Sequence, residues 1–153
     1  MSVDAPCRVV IPLKSLDAAK SRLNLPPAHR REAMIAFARD VMAACHAYPV
    51  TVVADADWRD HVTPDKFVTD PGAGLNEAIR AGLRSATGSG VLVIMGDLPC
   101  LTPGDVDVAR RTPGPWFVTD LAGTGTTALG GLSDHLQPCF GPRSARSHRA
   151  QGY

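Results

Sequence analysis

Residues 91–95, VLVIM, are apolar at every position, and no other feature of this chain restricts its architecture as much. A strand with one face in water alternates apolar and polar side chains, so an unbroken apolar run needs cover on both faces, as in a parallel sheet flanked by helices. Further β-rich runs at 8–13 (RVVIPL), 50–54 (VTVVA), 66–69 (KFVT) and 116–119 (WFVT) read as companion strands. Helical periodicity lies between them. In 28–47 it sets Met34, Ala38, Val41 and Cys45 on one stripe, and further on Leu75, Ile79 and Leu83 recur at four-residue spacing. A shorter helix is expected over 102–111, with Thr102 as N-cap, Pro103 at its first position and Asp105 in its first turn. The order β-α-β-β-α-β-α-β predicts a three-layer α/β/α fold around a mainly parallel sheet with right-handed crossovers. At 153 residues the chain suits a single domain, 1–153.

Charge narrows the function classes. Sixteen basic and fifteen acidic residues leave a net charge of +1, which provides no global field for nucleic acid or an anionic membrane, so any anion site must be local. The apolar runs fall far short of the ~20 residues that span a bilayer. The start MSVDAPCRVVIPLK lacks the basic region and long apolar stretch of a secretory signal, so a soluble cytoplasmic protein is expected. Cys7, Cys45, Cys100 and Cys139 stand far apart, without CxxC or zinc-type spacing, and are read as buried free thiols.

In an open α/β sheet ligands bind beyond the carboxyl ends of the strands, which directs attention to the residues that follow each one. After the first come Lys14, Ser15, Lys20 and Arg22, whose cations either hold a triphosphate beside a helix start or form an ordinary solvated face. After 91–95 comes Asp97, which suits magnesium bridging nucleotide phosphates, the alternative being a local turn cap. The segment DPGAGLNE, 70–77, offers Gly74 and Asn76 for contact with base or ribose, or else a turn and helix cap.

From Asp120 onward the chain loosens into DLAGTGTTALGGL, read as a surface loop or as backbone that approaches a ligand closely. GTGTTA matches GxGxxA, but Gly130 and Gly131 interrupt any helix there and no acid closes the motif, so a Rossmann site is rejected. There is no GxxxxGK[ST] loop either. The hydroxyls of Thr124, Thr126 and Thr127 instead suit a phosphate or carboxylate. FGPRSARSH, 140–148, reads as a turn before a short helix and as a second anion-binding candidate, with His148 on that helix's surface.

In combination, IPLKSLDAAKSRL, GLNEAI, VIMGDLP, GTGTTAL and FGPRSARSH resemble, over 9–152, the 2-phospho-L-lactate and phosphoenolpyruvate guanylyltransferases of coenzyme F-420 biosynthesis. The resemblance implies a nucleotidyltransferase fold, magnesium as cofactor, and transfer of GMP from GTP to the phosphate of either acid. It also implies that Lys14, Lys20 and Arg22 hold the GTP phosphates, that Asp97 binds magnesium, that Gly74 and Asn76 lie by the nucleoside, and that Thr126, Gly141 and Ser144 hold the phospho-acid. Thr127 stands where the family has Asn. The family continues past the equivalent of Gly152 through an acidic strand and a helix, which leaves Asp120 as the nearest second metal carboxylate here, and an open sheet edge through which a homo-oligomer would form. Two other readings stay open at this point: a nucleotidyltransferase for a pterin or sugar phosphate, and a non-catalytic nucleotide-binding protein.

Overall fold

The computed structural model describes residues 6–16 and 25–153. In chain order the elements are β1 (Cys7–Pro12), α1 (Pro27–Ala44), β2 (Val50–Ala54), β3 (Lys66–Thr69), α2 (Leu75–Arg84), β4 (Gly90–Ile94), α3 (Pro103–Arg111), β5 (Trp116–Thr119), β6 (Thr126–Leu132) and α4 (Ser144–Ala150). One sheet holds all six strands in the order β3-β2-β1-β4-β6-β5. The first four are mutually parallel, and β6 is antiparallel to both β4 and β5. Strand β5 therefore runs in the direction of β4, and β6 alone runs against the rest.

Burial explains the continuously apolar runs, since every residue of β2 and β4 is buried. Alternation in β1 divides the core: Val9 and Ile11 join Ala38 and Val41 of α1, Cys45 just past its end and Val106 of α3 on one face. Val10 joins Ala78, Ile79 and Leu83 of α2 on the other, with Val93, Leu129 and Phe140. Helix α2 approaches the sheet so closely that a Cβ at Gly82 would lie 2.5 Å from Val10 Cγ1. The start of α3 is closed as its sequence predicts: Thr102 Oγ1 accepts from the Asp105 amide while the Asp105 carboxylate accepts from the Thr102 amide.

The expected strands and helices appear with ends shifted by a residue or so, except that α1 stops at Ala44 and not at residue 47. One element departs from the reading. The stretch read as a loosened loop contains β6, inserted between β4 and β5. Its glycines are the reason the pattern was obscured and also the reason the strand fits: Trp116 packs over Gly130, where a Cβ would stand 2.2 Å from the indole Cζ2.

All four cysteines are free, but only Cys7 and Cys45 are buried; Cys139 is half-buried and Cys100 exposed, which corrects the uniform expectation. Burial pushes the Cys45 thiol up to about 12. Among the described residues no helix is long and apolar enough to cross a membrane.

Candidate functional site at the carboxyl edge of the sheet

The loop after β1 is anchored from two directions. The Leu13 amide donates to Val53 O at 2.9 Å. Trp58 Nε1 donates to Lys14 O at 2.8 Å, which fixes the Lys14 main chain and leaves its side chain exposed, with Ser15 half-buried beside it. Lys20 and Arg22 lie outside the described residues.

The turn after β4 rests on that loop. A Cβ at Gly96 would come within 2.2 Å of Leu13 Cδ2, so glycine is what lets the two loops touch. Asp97 follows, exposed at the same edge. Immediately before the turn, the Met95 amide donates to Thr127 O at 3.1 Å and joins the β4 end to the start of β6.

Helix α2 enters through an Asx turn, in which Asp70 Oδ1 accepts from the Gly72 amide at 2.8 Å, and through Gly74, whose φ of 92° favours glycine. Asn76 then makes a two-point clamp. Its Oδ1 accepts from the Phe140 amide at 2.8 Å, and its Nδ2 donates to Phe140 O at 3.0 Å. The carboxamide sequence reading set beside a nucleoside is thus engaged with main chain 64 residues away. It tethers the α2 start to the turn carrying Gly141, whose φ is 144°, and Ser144.

At Ser144 a hydroxyl network begins. Ser144 Oγ lies 3.0 Å from Thr126 Oγ1, and Thr126 Oγ1 lies 2.9 Å from His148 Nδ1. The Cys139 amide donates to His148 Nε2 at 3.1 Å. His148 has no exposed surface, contrary to its expected place on the outside of α4. Phe117, Phe140 and Tyr153 surround it with ring centroids 5.4 to 5.5 Å away. Burial pulls its imidazole below the ordinary 6.5, so it is neutral near pH 7. The available signal was the four-residue spacing from Ser144, which stacks both on one face of a helix.

Asp120 forms the turn between β5 and β6. Its Oδ1 accepts from the Thr124 amide at 2.9 Å, and main-chain amides of Gly125, Thr124 and Gly123 hold its carboxyl below the usual range. Gly125 is required by this closeness, since a Cβ there would meet Asp120 Oδ2 at 2.5 Å. Thr127 turns its hydroxyl to the Val118 and Thr119 carbonyls, at 3.3 and 3.4 Å, and so does not share the Thr126 network.

A chain of contacts therefore runs along one edge, from Lys14 and Leu13 through Gly96 and Asp97 to Met95, Thr127 and Thr126, then Ser144 and Gly141, and back to Asn76. Asp97 and Asp120 both lie on this edge, but among the described residues no three His, Cys, Asp or Glu side chains gather as a metal cluster. A cavity of about 390 Å³, lined by Gly131, Leu136 and Tyr153 among others, opens at the opposite end of β6 and belongs to none of this.

Residues 20–148 match the family model of the MobA-like NTP transferase domain. The chain is 36% identical to phosphoenolpyruvate guanylyltransferase 2 of Rhodococcus jostii, covering 95% of this chain and 72% of that protein. It is 41% identical to the phosphoenolpyruvate guanylyltransferase of Nocardia farcinica, covering 94% and 73%. A solved structure described as a nucleotide-diphospho-sugar transferase from Desulfovibrio desulfuricans superposes with a TM-score of 0.70 at 13% identity, over 99% of this chain and 77% of that one, a likeness of fold.

Proposed function

The chain belongs to the MobA-like NTP transferase family, as a relative of the phosphoenolpyruvate guanylyltransferases, and from that premise we propose that it transfers GMP from GTP to the phosphate of phosphoenolpyruvate, in the route to coenzyme F-420. The observation that carries the reading onto this site is the Thr126 and Ser144 hydroxyl pair, 3.0 Å apart, on the edge shared with the Asp97 turn. Two small hydroxyls beside a glycine with open space at its Cβ suit a compact phosphorylated acid. A pterin acceptor would call for an aromatic wall, and Phe117, Phe140 and Tyr153 pack on His148 instead. Because the relatives are named for phosphoenolpyruvate, that acid is preferred to 2-phospho-L-lactate.

The phosphate of the acid is largely dianionic near pH 7 and needs no protein base. One of its oxygens attacks the α-phosphorus of GTP, a new P–O–P link forms, and the bond from the α-phosphorus to the bridging oxygen breaks with pyrophosphate leaving. What the protein supplies is position and charge neutralisation. Lys14, Ser15, Lys20 and Arg22 hold the GTP phosphates, Gly74 lies by the nucleoside with Asn76 fixing the loop opposite, and Thr126, Gly141 and Ser144 form the side of the acid, with Thr127 turned away to the β5 carbonyls. Magnesium fits the donor set, because a hard carboxylate at Asp97, seconded by Asp120, together with phosphate oxygens is what that ion prefers. When bound it would neutralise charge developing on the phosphates. Both co-substrates are multiply charged metabolites, which accords with a cytoplasmic enzyme.

Incubation with GTP, magnesium and phosphoenolpyruvate should release pyrophosphate and give a product with a diphosphate ³¹P signature, with 2-phospho-L-lactate and an acid-free mixture run alongside. Asp97→Ala should lower the rate by at least about a hundredfold while the melting temperature stays put. Pyrophosphate release that does not depend on either acid would overturn the proposal.

A further inference from the structure

His148 has no exposed surface, and the proposed reaction gives it no role. Its hydrogen bonds nevertheless fix its tautomer. A main-chain N–H can only donate, so the Cys139 amide at 3.1 Å requires Nε2 to be the bare nitrogen. The single hydrogen of the neutral ring then sits on Nδ1 and is donated to Thr126 Oγ1, 2.9 Å away.

That direction decides what the neighbouring hydroxyls can offer. Thr126 and Ser144 carry two hydroxyl hydrogens between them, and their mutual contact at 3.0 Å consumes one. With Nδ1 donating, the other hydrogen stays unspent, and because Ser144 is buried and donates to Thr126 Oγ1, the half-exposed Thr126 is the one that keeps it. With the hydrogen on Nε2 instead, Thr126 would donate to the bare Nδ1 and Ser144 to Thr126, and the pair would present lone pairs alone. An anion is attracted to the first arrangement and repelled by the second.

We propose that His148 is a positioning residue for the phospho-acid: held by the Cys139 amide, it sets the polarity of the Thr126 and Ser144 pair so that the pair offers a hydrogen to the acid's anionic oxygens. The inference rests on the reading of this pair as the acid side of the site. His148 touches no substrate and acts through Thr126.

Two replacements separate positioning from simple support. An asparagine places an amide N–H near the Nδ1 position and gives up the Cys139 contact; a glutamine reaches the Nε2 position and gives up Thr126. His148→Gln should raise the KM for phosphoenolpyruvate about tenfold, the loss of one hydrogen bond to a charged group, with the KM for GTP unchanged. His148→Asn should recover most of that rise even though it melts lower. In a Thr126→Val background, His148→Gln should add less than about a twofold further rise. Imidazole ¹⁵N spectra of the intact chain should show the hydrogen on Nδ1. A hydrogen on Nε2, or KM rises shared equally by GTP and the acid in both variants, overturns the inference while the guanylyltransferase reading stands. A parent chain without acid-dependent turnover overturns that reading and the inference with it.

Discussion

In β2 and β4 every residue is buried, and the layers on either side of them are assembled mainly from Val, Ile, Leu and Ala, with Trp58 and Phe140 among them. Across β4 the material changes. Strand β5 has no buried residue, β6 buries three, two of them glycine, and the adjoining turn and helix are held by Asn76, Thr126, Ser144, His148 and the Asp120 turn. The parallel part is stabilised mainly by removal of apolar surface from water, which is large and indifferent to direction. The antiparallel margin depends on hydrogen bonds, each worth less but fixed in angle and distance. Apolar burial and directed hydrogen bonding are thus assigned to different parts of one sheet.

That division has measurable consequences. The largest belongs to the parallel part: Leu92 is completely buried in β4, and Leu92→Ala should lower the unfolding free energy by about 2 to 5 kcal/mol in urea. A loss below about 1 kcal/mol would erase the distinction. Asn76→Ala should cost less, on the order of 1 to 2 kcal/mol, because two hydrogen bonds to Phe140 are lost at a part-buried position. Its effect should also be local, with faster hydrogen exchange at the Phe140 amide and unchanged protection in β4. Uniform loss of protection would mean that the margin does not open separately.

The smallest effect is a pH dependence. Burial depresses the folded-state value of His148 below the unfolded 6.5, so its contribution to stability is complete above about pH 6.5 and declines as pH falls below it, when the unfolded chain takes up the proton first. Of the groups around it, the Tyr153 phenol is pushed up by burial and stays neutral through that range. Melting temperatures taken between about pH 7 and pH 5.5 should fall more for the parent than for His148→Gln. Equal declines would assign the acid sensitivity to the carboxylates.

The two parts also differ in how far they could be read in advance. A strand covered on both faces declares itself by composition alone, which is why 91–95 and 50–54 were legible and why the polar residues beyond them, Lys14 and Asp97, were found at the sheet edge. β6 was not, because Gly130 serves Trp116 on a neighbouring strand and lowers the local strand signal in doing so. The burial of His148 and the tether made by Asn76 were not legible for a related cause: each side chain meets a partner 22 or 64 residues distant, and no local pattern records such a pairing. Thr102, whose partner is three residues away, was read correctly.

The position of β6 in the sheet carries a consequence for how the molecule comes into being. β5 is made before β6, yet its place at the edge is reached only through β6, so during synthesis on the ribosome β5 has no strand to join until Leu132 has emerged. With the tight Asp120 turn between them, the two strands should close into a hairpin first and dock on β4 together, Thr126 meeting Ser144 and His148 when α4 arrives. Pulse-labelled refolding should accordingly find β5 protected no earlier than β6. The loops carrying Lys14 and Asp97 are thus complete well before the Thr126 and Ser144 pair, which forms only once α4 has docked.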